Sequence, residues 1–297
     1  MLKKLRLKFV HWLMVGFLLA DLAVTWFAYA KPDELLHIYF LDVGQGDAIL
    51  ISTADHKHIL IDGGPDGSVV GQLDSVLPAW DRQLDLVILT HPHADHVAGL
   101  LTVLQRYSVE QFIYSGAPYS TTTYENLLSA LAKQNITIQI ASAGQKYDFG
   151  DTRLDLLWPI AGQSFSQDPN ETSLITQLRY GNFSALFMGD ASANNEQALL
   201  ASSTVSDVDV LKVGHHGSQY STSPAFLSVA DPEIAVIEVG VNNNFGHPTP
   251  TTLNHLKDSG ATVYRTDQNG TIEVATDGAK YRILPRSANP AVSSPSQ

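Results

Sequence analysis

Short apolar runs recur along residues 37–285, each cut off by Gly, Pro, Asn or Asp. The runs His37–Val43, Ala48–Ser52, His58–Asp62, Asp85–Thr90 and Gln111–Tyr114 are dense in Ile, Leu, Val, Phe and Tyr, which predicts strands. The same pattern predicts strands at Ile136–Ile140, Arg153–Trp158, Leu174–Tyr180, Phe183–Gly189, Val208–Gly214, Ile234–Glu238, Thr262–Arg265, Thr271–Thr276 and Tyr281–Leu284. Helical spacing of apolar positions takes over at Val69–Leu77, Val97–Arg106, Tyr124–Gln134, Asn195–Ala201, Pro224–Val229 and Thr251–Ser259. Strands thus alternate with helices, while Tyr180-Gly181-Asn182-Phe183 carries a two-residue hairpin signal and implies antiparallel neighbours. The expectation is an α/β fold arranged as an αββα sandwich, two mixed sheets with helices outside.

The two ends break this pattern. Lys3, Lys4, Arg6 and Lys8 precede an apolar run from Phe9 to Ala30, the charge order of a signal peptide or an uncleaved membrane anchor. Ala28-Tyr29-Ala30 resembles a small-x-small cleavage site, so both fates stay open. Either one predicts an exported domain, anchored to the outer face of the cytoplasmic membrane or secreted. Residues 31–36 read as a linker, residues 37–285 as one domain, and Arg286–Gln297, rich in Ser, Pro and Ala, as a disordered tail.

Composition narrows the chemistry. Apolar residues make up 44% and charged residues 16%, the balance of a globular protein rather than a disordered one. The formal charge of −12 argues against a surface that grips nucleic acid as a whole, so any phosphate must be met locally. The absence of Cys removes thiolate ligands and cysteine nucleophiles, which leaves His and carboxylates to carry any metal chemistry.

Those residues cluster. The apolar run ending at Thr90 leads into His91-Pro92-His93-Ala94-Asp95-His96, after which Val97-Ala98-Gly99-Leu100 opens a helix. A strand-to-helix turn of this kind aims imidazoles and carboxylates at neighbouring ions, and these are the ligands that Zn²⁺ takes when thiolates are absent. Against it stands a polar loop that merely caps a helix through Asp95.

His-x-His-x-Asp-His after an apolar strand resembles the signature of the metallo-β-lactamase superfamily. Ile59-Leu60-Ile61-Asp62-Gly63-Gly64 is similar to that superfamily's first motif, whose Asp supports the metal loop. Leu186-Phe187-Met188-Gly189-Asp190 is similar to the strand that ends in the bridging Asp, and Lys212-Val213-Gly214-His215-His216-Gly217-Ser218 to the last ligand motif. The resemblance implies two divalent ions, Zn²⁺ or Mn²⁺, held by His91, His93, Asp95, His96, Asp190 and His216. Between the two adjacent histidines the choice stays open: His216 is favoured as ligand because the His-Gly pair is the more typical ending, and His215 then falls to the substrate or to a position behind the ligands. A more specific resemblance, over residues 37–285, is to the hydrolase domain of ComEC-type competence proteins. It rests on Phe40-Leu41-Asp42-Val43-Gly44-Gln45-Gly46-Asp47-Ala48, Asn170–Ser173, the His215–Ser218 run and Phe245-Gly246-His247-Pro248. The chain departs from the wider pattern in one respect. No His lies between Val97 and Gly189, and the Asn170 found there is a neutral amide, a poor ligand for Zn²⁺.

Asp190, His215 and His247 are the catalytic candidates; Asp42, Gln45, Asp47, Asp62, Asn170 and Ser218 are supporting or substrate-side candidates. The implied activity is metal-dependent hydrolysis of a phosphodiester, with single-stranded DNA as substrate and a DNA-uptake channel as partner. Two alternatives stay open: an envelope phosphodiesterase of the phosphorylcholine-esterase type, and a non-catalytic module that keeps the fold to bind metal and a partner.

Overall fold

The computed structural model describes residues 8, 11–22, 33–134, 136–162 and 165–286. The chain divides into two units, Met1–Glu34 and Leu35–Gln297. In the first, residues 11–22 are helical and carry exposed apolar side chains such as Trp12 and Phe17. Among the described residues no helix is long and apolar enough to cross a membrane. The Ala28–Ala30 cleavage site, most of the basic flank and the tail after Arg286 lie outside the described residues.

The second unit is built on two sheets. The first has eight strands. They are β1 (Leu36–Phe40), β2 (Ile49–Ser52), β3 (His58–Ile61), β4 (Gln83–Leu89), β5 (Ser108–Tyr114), β6 (Thr137–Ile140), β14 (Thr271–Thr276) and β15 (Tyr281–Arg286). Their order is β15-β14-β1-β2-β3-β4-β5-β6, antiparallel from β15 to β3 and parallel from β3 to β6. The second sheet runs β13 (Thr262–Arg265), β12 (Ile234–Ile237), β11 (Val210–Lys212), β10 (Phe183–Phe187), β9 (Ile175–Tyr180), β8 (Thr152–Trp158), β7 (Lys146–Phe149). It is parallel from β13 to β10 and antiparallel beyond.

Alternation along β1 shows how the layers assemble. Leu36, Ile38 and Phe40 point between the sheets, where they meet Ile51, Ile88, Leu178, Phe187 and Val236. Tyr39 and Leu41 point the other way, into the layer under α1 (Ser68–Val76), α2 (Ala94–Arg106) and α3 (Thr122–Ala132). Leu211, Val213 and Ile237 of the second sheet pack under α4 (Ala193–Ala201), α5 (Pro224–Ala230) and α6 (Pro250–Ser259). The result is the expected αββα sandwich. The interior strands β4, from Leu86 onward, and β12 are buried on both faces, so they read as continuous apolar runs rather than alternating ones.

Several boundaries move. β1 starts at Leu36, which is fully buried, so the linker read as ending at residue 36 gives up its last residue to the core. β11 shortens to three residues. β7 went unread because Lys146-Tyr147-Asp148-Phe149 alternates charge with aromatics over only four positions. A short helix, α7 (Thr266–Asn269), fills a turn that lacked any apolar period. The Gly181-Asn182 hairpin is present, with Phe183 paired to Tyr180.

Candidate metal centre

The centre forms where parallel strands end. Asp62 follows β3, His91 and His93 follow β4, Asp190 follows β10, His215 and His216 follow β11, and Glu238 follows β12. In open α/β sheets this carboxyl edge is where loops converge and ligands collect. Here both sheets bring such an edge to the same place.

The helix α2 begins at Ala94 with His93 as its N-cap residue and no side-chain cap bond. Asp95 and His96 therefore lie on the first helical turn, three residues earlier than the apolar period indicated, and Asp95 does not cap. What fixes this turn is a close approach: a Cβ on Gly99 would fall 1.8 Å from the carbonyl oxygen of Gly63. Only glycine lets α2 lie this close to the Asp62-Gly63-Gly64 backbone. Gly63 N–H in turn donates to His96 O at 2.8 Å.

Asp62 is the anchor of that contact. It is fully buried in the left-handed region, φ 60°, and accepts from Thr90 N at 2.8 Å and Thr90 Oγ1 at 2.6 Å. Its Oδ2 also takes His96 Nδ1 at 2.7 Å, which turns Nε2 of that ring inward. His216 is set the same way, with Nδ1 2.9 Å from the carbonyl oxygen of Glu238. His215, His216 and Gly217 all have positive φ, 49°, 52° and 83°. Two consecutive left-handed residues that are not glycine store strain, as backbone at functional sites does. The turn sends His216 into the interior and leaves His215 at the mouth, with its side chain 28% exposed.

Within the cleft, Asp95, His96, Asp190 and His216 each offer one ligand atom, all within 4.8 Å of one another. His216 Nε2 is 3.4 Å from Asp95 Oδ2 and 3.5 Å from Asp190 Oδ2, and His96 Nε2 is 3.5 Å from Asp190 Oδ2. Ligands bound at about 2.0–2.1 Å in a tetrahedron are themselves about 3.4 Å apart. Nε2 of His96, Nε2 of His216 and Oδ1 of Asp190 are buried without a hydrogen-bond partner, which a cation would repair. The four residues thus fit an ion of this size. Beside them His91 Nε2 is 3.1 Å from His93 Nδ1 and 3.8 Å from Asp190 Oδ2, a second, more open donor set that shares Asp190.

The electrostatics agree. Burial opposes a proton on His96 and His216, yet Asp190 and its neighbours Asp62, Asp95 and Asp47 hold both pKa values well above the ordinary histidine value. Burial opposes the charge on Asp190, and His216 and His96 overcome it and hold that carboxyl well below the usual range. The negative potential that holds these protons is the one that would hold a cation. His91 goes the opposite way, lowered by burial and by His96, so it remains a neutral donor.

Beneath the ligands lies a network of which sequence reasoning named Asp47 and missed Lys212 and Glu238. Lys212 is fully buried, and its Nζ donates to Asp47 Oδ2 and, at 3.3 Å, to Gly189 O. Asp47 Oδ1 lies 3.2 Å from His216 Nδ1, and buried Glu238 accepts from Ala48 N at 3.0 Å. Burial and Asp47 push the Glu238 carboxyl well above its usual value, while Asp47, Asp190 and Glu238 outweigh burial to raise Lys212. A lysine in the middle of Val210-Leu211-Lys212-Val213, and a glutamate closing Ile234-Ala235-Val236-Ile237, were the available signals.

The remaining predicted positions spread around this centre. Gln45 Oε1 accepts from Gly240 N at 3.1 Å, tying the Gly44–Gly46 turn to the loop after β12. Ser218 is buried, and its Oγ accepts from Tyr220 N. Asn170 belongs to a 3₁₀ turn, Pro169–Thr172, and its Oδ1 is buried without a partner. His247 packs edge-on against His215 with centroids 5.6 Å apart, and burial and His215 lower its pKa. Asp42 stands apart: Gly44 hydrogen-bonds its carboxylate, and burial raises its pKa. It closes a turn rather than joining the ligand cluster. Tyr119, unread in the sequence, lies edge-on to His93.

A four-layer sandwich with His and Asp ligands at the joined strand ends defines a class of metal-dependent hydrolases. The chain belongs to the Metallo-beta-lactamase superfamily, whose pattern matches residues 41–240. Among curated proteins it is similar to ComE operon protein 3 of Bacillus subtilis, 29% identical over 250 residues. That match covers 78% of this chain and 32% of the relative. Recombination protein 2 of Haemophilus influenzae is 31% identical over 239 residues, covering 79% of this chain and 28% of that protein. The chain therefore spans about a third of the length of these relatives, as also for the competence protein ComA of Neisseria gonorrhoeae, with 33% covered. The expected likeness to competence proteins is thus found over most of the chain. In fold, it is similar to the metallo-beta-lactamase fold protein YhfI from Bacillus subtilis, with TM-score 0.55 and 13% identity over 80% of this chain and 99% of that one. Zn²⁺-bound PqqB from Methylobacterium extorquens gives TM-score 0.52 at 12% identity, over 77% and 97% of the two chains.

Proposed function

We propose that the chain is a dinuclear phosphodiesterase that cleaves single-stranded DNA on the outer side of the cytoplasmic membrane, beside a DNA-uptake channel. The observation that carries this reading is the pair of donor sets sharing Asp190, His91 and His93 on one side, Asp95, His96 and His216 on the other. Two divalent ions, Zn²⁺ or Mn²⁺, would supply Lewis acidity and a hydroxide nucleophile at neutral pH. The similarity to competence and recombination proteins supports DNA as the substrate.

The protein's own groups do the rest. Asp62 and the Glu238 carbonyl lock two imidazoles with Nε2 inward, so no side-chain reorganisation is needed when substrate arrives. His215 reaches to 3.9 Å from Asp190 Oδ2 while facing the mouth, which puts its ring where a leaving oxygen needs a hydrogen-bond donor. His247, against it, orients that ring or delivers the proton itself. The buried, unpartnered Oδ1 of Asn170 supports assigning that amide to the substrate. Attachment to the membrane falls to the amino-terminal segment.

Turnover of single-stranded oligonucleotides and of a small chromogenic diester, with added Zn²⁺ or Mn²⁺, tests this. Preference for the oligonucleotide supports the reading; turnover of the chromogenic diester with indifference to DNA moves the enzyme to envelope phosphodiesters. Absence of turnover with both leaves a binding module.

A further inference from the structure

Phe245 is one of the most exposed large apolar residues of the domain, 67% accessible, and it is held there by structure rather than left loose. Asn243 pins its loop with four hydrogen bonds. Nδ2 donates to Gly240 O at 3.2 Å and to His247 O at 2.7 Å, while Oδ1 accepts from Phe245 N and His247 N, each at 3.1 Å. Gln45 fixes the start of the same loop at Gly240. The Phe245 ring lies beside the His247 ring in a nearly parallel, offset arrangement, centroids 6.1 Å apart and planes at 20°. His247 meets His215, and His215 reaches Asp190. A continuous row of rings thus leads from solvent to the centre.

Resting on the phosphodiesterase reading, we propose that Phe245 is the stacking platform for the nucleobase next to the scissile phosphate, and that this platform restricts the substrate to unpaired strands. The Phe245 ring runs nearly parallel to His247 and stays two-thirds exposed, which leaves it open to a flat partner. Within a duplex both faces of every internal base are already stacked, so along a strand only an unpaired base can use it. A quaternary ammonium headgroup is recognised by a cage of several rings, and a single outward face is not one. The charge of −12 gives the chain little long-range attraction for a phosphate backbone, so affinity must come from the centre and from stacking. The dependence of KM on salt is accordingly expected to be shallow.

The test uses the full-length protein with divalent metal, as wild type, Phe245→Ala and Phe245→Trp. Substrates are a single-stranded oligonucleotide with one cleavable linkage and the same strand with abasic sites flanking that linkage. Removing one stacked base costs about ten- to a hundredfold. Phe245→Ala is expected to raise KM for the intact strand by that factor with kcat little changed, and Phe245→Trp to restore it. The abasic strand shows the same rise with wild type and no further rise with Phe245→Ala. In an uncleavable strand, 2-aminopurine placed beside the linkage is quenched on binding wild type and not on binding Phe245→Ala. Unchanged KM in Phe245→Ala, or additive losses, would overturn the platform while leaving the phosphodiesterase intact. No cleavage of any diester by wild type would remove the phosphodiesterase, and the platform with it.

Discussion

The two sheets contribute to the centre in different ways. The first delivers His91, His93, Asp95 and His96 from one stretch of six residues, held by a single buried carboxylate, Asp62. The second delivers Asp190 and His216 from separate strand ends, 26 positions apart in the chain, and these are backed by the buried Lys212–Asp47 pair with Glu238 beside it. Local sequence can hold a compact ligand cluster with one hydrogen-bonding anchor. Ligands gathered from across a fold need tertiary charges to hold them, at the cost of burying an ammonium and two carboxyl groups.

The comparison can be sharpened by breaking each side in turn. Removing the second sheet's inward imidazole should do most damage: His216→Ala should lose about 10³-fold in turnover and one equivalent of metal. His215→Ala should keep the metal and lose less, which assay of both variants by metal analysis and kinetics will separate. Next comes the backing network. Lys212→Met leaves Asp47 buried without its ammonium partner and with His216 still beside it, which should lower stability by about 3 kcal/mol in denaturant unfolding. Adding Asp47→Asn should recover part of it. On the first sheet, Gly99→Ala forces a Cβ into the Gly63 carbonyl. A loss of about 1–3 kcal/mol, with weaker metal binding, is expected from the shift of α2. Full stability and full affinity in that variant would show that the close approach is not what places Asp95 and His96.

The smallest effect lies away from the centre. Burial opposes the charge of Glu273, but His37 at 2.8 Å and Arg286 at 2.7 Å hold its pKa below the ordinary 4.5. A carboxyl whose folded pKa is depressed stabilises the fold above its unfolded value, and that stability is lost as pH falls through the folded pKa. Glu273→Gln should therefore be less stable than wild type by about 1 kcal/mol or less at pH 7, the gap closing as pH falls below about 4.5, so the acid limb of its stability-against-pH curve is flatter. A variant curve parallel to wild type would contradict it.

The same contrast explains what could be read in the sequence. Chemistry-bearing residues adjacent in the chain, such as His91–His96, declare themselves by spacing, and the strands around them by apolar runs. Asp190 and His216 were legible only through resemblance, since nothing local marks a single Asp after Gly189 as a partner of His96. Lys212 and Glu238 were passed over because each is one charge in an apolar strand, and their partners lie 165 and 190 positions away in Asp47 and Ala48. Asp42 joined the candidates because the resemblance puts the turn it flanks with Asp47 beside the cleft, and the two side chains leave that turn for different surroundings. Tyr119 depends on how the loop after β5 folds back to His93, which no periodicity encodes.

The central claim is that Asp190 joins two donor sets into one hydrolytic centre, and metal content measured together with diester turnover on wild type and Asp190→Ala tests it most directly. The account predicts close to two equivalents of divalent metal and metal-dependent cleavage for wild type, with both reduced and turnover abolished in the variant. Equal metal content and equal turnover in the two proteins would contradict it.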